Sequence, residues 1–225
     1  MYIVNKHIST PIQANECVIL LHGLARSSRS MAKLETALKR KGFITVNSNY
    51  PSTKHDIETL ADEAINHALS QCPEGSKVNF VTHSMGGILV RQFFSKQRIK
   101  NLGSVVMLGP PNKGSQVVDR LTNLPGFKTV NGPAGTQLGT SEMSVPNKLG
   151  AVNYEVGIIA GTRSINLILS TMLPKPNDGK VSVENTKLIG MTDHITLPVM
   201  HPFMMNNNAV ISQVLHFLEC GMFNR

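Results

Sequence analysis

Ser84 lies in the run Val78-Asn79-Phe80-Val81-Thr82-His83-Ser84-Met85-Gly86-Gly87, which continues as Ile88-Leu89-Val90. A β-prone apolar stretch leads straight into a serine between small residues, and helical spacing resumes after it. This pattern predicts a strand, a sharp turn and a helix, with the serine hydroxyl presented as a nucleophile at the turn. The backbone there is strained, so its neighbours must be small. Gly86 meets that need, and Thr82 stands where the G-x-S-x-G pattern has its first glycine. A serine after a buried strand can also do no more than cap a helix, so the rest of the chain must supply its partners.

A serine hydroxyl is a weak nucleophile. It needs a base, and the base needs an orienting acid. For a serine at such an elbow the acid and then the histidine follow in chain order, on loops beyond the C-terminal strand ends. The favoured acid is Asp178, in Pro176-Asn177-Asp178-Gly179-Lys180-Val181, with Asp193 and Glu184 as rivals. An Asp-Gly pair is also common in ordinary turns. Among the eight histidines, His7, His55, His67 and His216 fall in the N-terminal segment or on expected helices, and read as surface or packing residues. His22 and His83 flank the expected oxyanion elements, and the elbow turns His83 away from the serine hydroxyl. His194 follows Asp193 directly. His201, expected in a loop just before the last helix, is the favoured base. A tetrahedral intermediate needs two preorganised N–H donors, and losing one costs about 3 kcal/mol of barrier. The amide of Met85, next after the serine, is one expected donor. The other is the amide of Leu24 in Leu20-Leu21-His22-Gly23-Leu24.

The elements that must hold these residues alternate strand and helix, as a parallel sheet with helices on both faces does. Strands are expected over residues 17–21, 43–46, 78–81, 104–108, 155–160 and 187–190. Helices are expected over residues 29–41, 57–69, 85–96 and 209–218. Residues 109–153 are rich in glycine, proline, threonine and asparagine, and only residues 117–121 read as helical. A long irregular stretch of this kind is commonly a lid or binding loop.

The runs Leu21-His22-Gly23-Leu24, Thr82-His83-Ser84-Met85-Gly86-Gly87, Pro110-Pro111-Asn112-Lys113-Gly114-Ser115, Asn177-Asp178-Gly179-Lys180-Val181-Ser182 and Met200-His201-Pro202-Phe203 together resemble bacterial lipases and esterases of the α/β-hydrolase superfamily. The likeness is greatest to the compact lipase class 2 and GPI-inositol-deacylase-like branch, and spans roughly residues 17–218. It implies one α/β-hydrolase domain over residues 1–225, with a mostly parallel central sheet flanked by helices. Residues 110–153 would be a small irregular cap, lid or substrate-binding insertion. It implies Ser84, Asp178 and His201 as a triad, with Leu24 and Met85 as oxyanion donors. The implied activity is hydrolysis of a carboxylic ester or lipid through an acyl-enzyme, with no cofactor and no metal. An acyltransferase or thioesterase on the same triad is the alternative, and a catalytically inactive binding protein a more distant one.

The bulk properties frame these expectations. A chain of 225 residues, 41% hydrophobic and 16% charged, suits a globular protein and argues against disorder. The net charge is +8, with basic clusters at Lys33/Lys39/Arg40/Lys41 and Arg91/Lys96/Arg98/Lys100. No nucleic-acid docking motif accompanies them, so nucleic acid is not an expected partner. They read as a basic surface, compatible with peripheral contact to an anionic membrane surface. Cys17, Cys72 and Cys220 are widely spaced and odd in number, which predicts free thiols in a reducing compartment. Residues 1–10 contain no apolar signal region, and no run is long enough to span a bilayer, so a cytoplasmic protein is expected. Walker A, Rossmann, His-Glu-x-x-His and EF-hand patterns are missing from the sequence. Several methionines, Met31, Met85, Met143, Met172, Met200, Met204 and Met205, could pack an acyl chain, although filling the core is their commoner use.

Overall fold

Strands buried on both faces need continuous apolar runs, and such runs build the centre of this molecule. The computed structural model describes residues 15–164, 171 and 173–225. Residues 1–10, His7 and Met172 therefore lie outside the described residues. Six strands form one sheet: β1 (Glu16–Leu21), β2 (Ile44–Ser48), β3 (Lys77–His83), β4 (Leu102–Leu108), β5 (Val156–Arg163) and β6 (Asp193–Met200). Their order is β2-β1-β3-β4-β5-β6, and every neighbouring pair is parallel. Successive side chains of a strand point to opposite faces, and β1 shows the consequence. Cys17, Ile19 and Leu21 join one core cluster, whereas Val18 and Leu20 join the other.

The first cluster is covered by α2 (Ile57–Leu69) and α3 (Met85–Lys96). The second is covered by α1 (Ala32–Arg40), entered through a 3-10 turn at Ser28–Met31, and by the closing helix Asn208–Cys220. Each helix begins and ends for local reasons. The Asp56 carboxylate accepts the Thr59 N–H at the start of α2, and the Asn207 side chain accepts the N–H groups of Ala209 and Val210 before the closing helix. Gly42, at φ +95°, takes the left-handed turn that leads from α1 to β2.

Four expectations need correction. Residues 109–153 are more helical than their composition suggests, containing α4 (Gln116–Leu121), α5 (Phe127–Thr136) and α6 (Val145–Lys148). A kink at Gly132 divides α5. A Cβ at that position would lie 1.8 Å from the Thr53 carbonyl oxygen, so only glycine lets the segment close onto the loop before α2. Residues 187–190 are not a strand. They follow the single turn α7 (Val183–Thr186), and the strand comes later as β6. Because β6 is the sheet edge, it carries alternating polar residues and a proline, which an edge tolerates and which read as a loop in the sequence.

The third correction concerns the cysteines. Cys17 and Cys72 form a disulfide with a Cα–Cα distance of 5.9 Å, and Cys220 is the free thiol. Cys17 points to the face that α2 covers, and the chain returns beside β1 to begin β3. Two residues 55 apart in sequence are thus brought within bonding reach. The fourth concerns Arg91, which is not part of a basic surface but is buried on α3. No helix among the described residues is long and apolar enough to cross a membrane.

Candidate active site

β3 ends at His83 and α3 begins at Met85, which leaves Ser84 alone at the turn with φ 53° and ψ −120°. Positive φ is strained for a residue with a side chain, and such strain persists only where the surroundings enforce it. Here the enforcement is by packing. The Ser84 N–H donates to the Leu108 carbonyl at the end of β4. A Cβ on Gly86 would lie 2.7 Å from the Leu21 carbonyl oxygen, so α3 can start this close to β1 only with glycine there. Thr82 is fully buried within the sheet, where its small side chain fits.

Asp178 sits in a tight loop beyond β5, closed by a bridge between Asn177 and Ser182. Its Oδ1 accepts the N–H groups of Lys180 (2.9 Å) and Val181 (2.8 Å), which fixes the carboxylate. Its Oδ2 lies 2.7 Å from His201 Nδ1. His201 directly follows β6 instead of standing in a loop. Both residues are buried, at 2% and 6% exposure. A ring nitrogen facing a carboxylate carries the proton, which leaves Nε2 as the basic nitrogen. The rivals lie elsewhere. The Asp193 carboxylate, at the other end of β6, accepts from the Phe223 N–H and pairs with Arg225. Glu184 is exposed between Lys113 and Lys187, which hold its pKa down at about 2. His194 meets Thr186.

The loop after β1 is held from three sides. The stacked rings of His22 and Tyr50 have centroids 4.1 Å apart, and the Tyr50 hydroxyl donates to the His22 carbonyl. His22 Nε2 accepts from the Tyr50 N–H, so Nδ1 is the nitrogen that donates to the Gly23 carbonyl, at 2.9 Å. Ala25, at φ 52°, donates its N–H to the Ser52 hydroxyl. Leu24 lies within this fixed turn. Met85 occupies the first position of α3, where N–H groups have no intrahelical acceptor. Burial lowers the His22 pKa, keeping this ring neutral.

Ser84, His201, Leu24 and His83 border one cavity of about 380 Å³. That size suits a small molecule. Its lining also holds an apolar set: Val117, Val118 and Leu121 of α4, Phe127 of α5, and Leu138. Among the described residues no methionine borders it. Met31, Met85, Met204 and Met205 are fully buried in the core, and Met143 is exposed. A second cavity, about 410 Å³, lies between α2 and α3 beside Glu58, Asp62 and Glu63. None of the expected site residues borders it.

Sequence reasoning missed two neighbours of the His–Asp pair. His83 Nε2 lies 3.0 Å from the His201 carbonyl oxygen, with ring centroids 4.8 Å apart. Burial, then the His201 charge, holds its pKa well below 6.5. A neutral His83 has one N–H, which donates from Nε2 to that carbonyl, leaving Nδ1 without a partner. Gly109 at the end of β4 is the other. A Cβ there would lie 3.0 Å from Asp178 Oδ2 and 3.1 Å from His201 Nδ1. Nothing in either residue's local sequence signals this role, because the closeness comes from strand pairing. Among the described residues, no group of three or more His, Cys, Asp or Glu side chains could hold a metal ion.

A profile of the family described as "Putative serine esterase (DUF676)" matches residues 11–154, which include Leu24, Ser84 and Met85 and end before Asp178 and His201. No curated protein matches the chain. Solved structures do. The mature form of the Bacillus licheniformis lipase BlEst2 superimposes with a TM-score of 0.71 at 18% identity, over 94% of this chain and 95% of that one. A metagenomic carboxyl esterase gives 0.64 at 18% identity, over 84% of this chain and 65% of that one. The Legionella pneumophila phospholipase PlaB gives 0.60 at 19% identity, over 76% of this chain and 45% of that one. At such identities the likeness is one of fold, and the six-stranded parallel sheet flanked by helices is an α/β-hydrolase fold.

Proposed function

Because the chain belongs to the DUF676 family of serine esterases, we propose that it hydrolyses carboxylic esters with Ser84 as nucleophile, His201 as base and Asp178 as orienting acid. The observation that carries this reading is the 2.7 Å contact between His201 Nδ1 and the buried Asp178 Oδ2, on the border of the cavity that Ser84 also lines. In the proposed mechanism His201 Nε2 takes the hydroxyl proton as Ser84 Oγ bonds to the ester carbonyl carbon. Asp178 keeps the proton on Nδ1 and stabilises the imidazolium that forms. The amides of Leu24 and Met85 hold the oxyanion. Collapse expels the alcohol, which receives the proton from His201 and leaves an acyl-enzyme. His201 then takes a proton from water as the water oxygen attacks, and returns it to Ser84 Oγ as the acyl–oxygen bond breaks and the carboxylic acid leaves. The α4–α5 part of residues 110–153 supplies the wall against which the acyl chain lies.

A fluorophosphonate probe tests the reading without a guess at the substrate. Wild type should be labelled on Ser84, by intact mass and peptide mapping, and should release acid from short-chain esters. Ser84→Ala should do neither. A folded wild type that takes no label and cleaves no ester would overturn the proposal.

A further inference from the structure

We propose that the ester cleaved at Ser84 carries an anionic group, phosphate or carboxylate, on its alcohol part, held by Arg26 and Lys180. The inference rests on the serine esterase reading and deepens it. Both residues border the Ser84 cavity, and among the described residues no Asp or Glu does. Every formally charged side chain at its border is therefore cationic, apart from the titratable His83 and His201.

Each cation is tied closely to the proposed machinery. Arg26 follows Leu24 by two residues and Lys180 follows Asp178 by two, a separation of at most about 8 Å along the backbone. Arg26, Lys180 and Ser84 line the same cavity, so a group bound beside the scissile bond shares it with both cations. The positive field of Arg26 is felt at His83, where it adds to the larger effect of burial.

Among the described residues neither cation has an acidic partner. Lys39, Lys96, Lys113 and Lys187 each face a glutamate. Among the described residues no carboxylate faces Arg26 or Lys180 in that way, and both are exposed. Two exposed cations lining a cavity favour an anion there, and the guanidinium fork suits a phosphate or carboxylate. The same lining includes the uncharged Val117, Val118, Leu121, Phe127 and Leu138, which suit an acyl chain. An ester with an apolar acyl part and an anionic alcohol part matches both sets of lining residues.

Three matched butyryl esters separate the cases: those of glycerol, glycerol 3-phosphate and glycerate, followed by acid release in a pH-stat at low salt. In wild type at least one anionic ester should exceed the glycerol ester in kcat/KM by about tenfold or more, and the advantage should shrink at about 0.5 M NaCl. The two anionic arms distinguish phosphate from carboxylate. In the double variant Arg26→Gln/Lys180→Gln, checked by its thermal midpoint and fluorophosphonate labelling, the anionic-to-neutral ratio should fall to about threefold or less. The wild-type series is decisive even if the variant does not fold. A glycerol ester cleaved as well as both anionic ones overturns the proposal, as does a preference that survives in the folded variant. Neutral turnover with labelled Ser84 but no anionic preference overturns this inference alone. No turnover of any ester and no label overturns the esterase reading, and this inference with it.

Discussion

At Gly109 one methyl group would meet both halves of the His–Asp pair. The residue has φ +56°, and an added Cβ would sit 3.0 Å from Asp178 Oδ2 and 3.1 Å from His201 Nδ1. Gly109→Ala must displace one of them. A misplacement of about 1 Å in a catalytic constellation costs about 10²-fold; the shift needed here is smaller, so kcat for a short-chain ester should fall by less than that factor while the circular dichroism spectrum stays native. An unchanged kcat would mean that the pair tolerates displacement and is not what limits turnover. Asp178→Asn makes a sharper test. The Oδ1 acceptor for Lys180 and Val181 can remain, but an amide N–H facing Nδ1 forces the wrong imidazole tautomer. The expected loss is about 10⁴-fold in kcat by analogy with other triads, read in the same assay with the thermal midpoint as a control for folding. Chain order singled out Asp178 and His201 from the sequence, and the two side chains meet in the fold. What they do is for these variants to decide. Gly109 and His83 were not legible, because their proximity to the pair is created by strand register and not by any local pattern.

At the scale of elements, α3 does more than present Ser84. Its buried Arg91 donates from Nη1 to the carbonyl and side-chain oxygens of Asn112, and from Nη2 to the carbonyls of Pro146 and Gly150. Burial lowers its pKa only to about 10, so it stays charged at neutral pH. It thus ties both ends of the irregular segment to the sheet. Arg91→Met leaves these acceptors buried without a donor, and hydrogen bonds to a charged group are worth about 1.5–3 kcal/mol each. A loss of at least about 3 kcal/mol, measured from the urea midpoint, is expected on that scale. A change within about 0.5 kcal/mol, the usual range of a surface substitution, would remove the clamp from the account. The Cys17–Cys72 bond joins β1 to the end of α2 and closes a loop of 55 residues of separation, worth about 4 kcal/mol on chain entropy. Alkylation of denatured, unreduced protein should therefore modify Cys220 alone, and two further thiols should react only after reduction. The alternating strands and helices around β1 to β4 were legible because each is a strong apolar period bounded by a stop. α5 was not, since its glycines and Pro133 belong to a kinked helix made possible by contact with Thr53. β6 was not, because an edge strand keeps polar residues. The disulfide was not, because only β1–β3 pairing brings the two cysteines together.

The whole molecule carries its acid response in the buried His22 and His83 and the half-buried His194. His22, His83 and His194 all have pKa values lowered from 6.5, in each case chiefly by burial. A lowered folded-state value means that the unfolded chain binds more protons than the native one once the pH falls below about 6.5. Stability is therefore fully present above that pH and is lost as the pH drops toward the folded values. A second, lower window comes from Glu35, Asp56 and Asp193, whose values lie below 4.5 and 3.8 in the fold. Burial works against the lowering at Glu35 and Asp193, where hydrogen bonds and a nearby cation outweigh it; at Asp56 bonds to Thr59 dominate. The thermal midpoint should accordingly be level from about pH 8 to 6.5, decline between about 6.5 and 5, and decline again below about 4.5. His194, on β6 and bonded to Thr186, does not border the Ser84 cavity. His194→Gln keeps a polar group for Thr186 and removes one titrating ring. It should flatten the upper decline relative to wild type and leave the lower one in place. A wild-type midpoint that stays level down to pH 5 would mean that the buried rings accept protons without cost, and the neutral tautomers assigned to His22 and His83 would go with it.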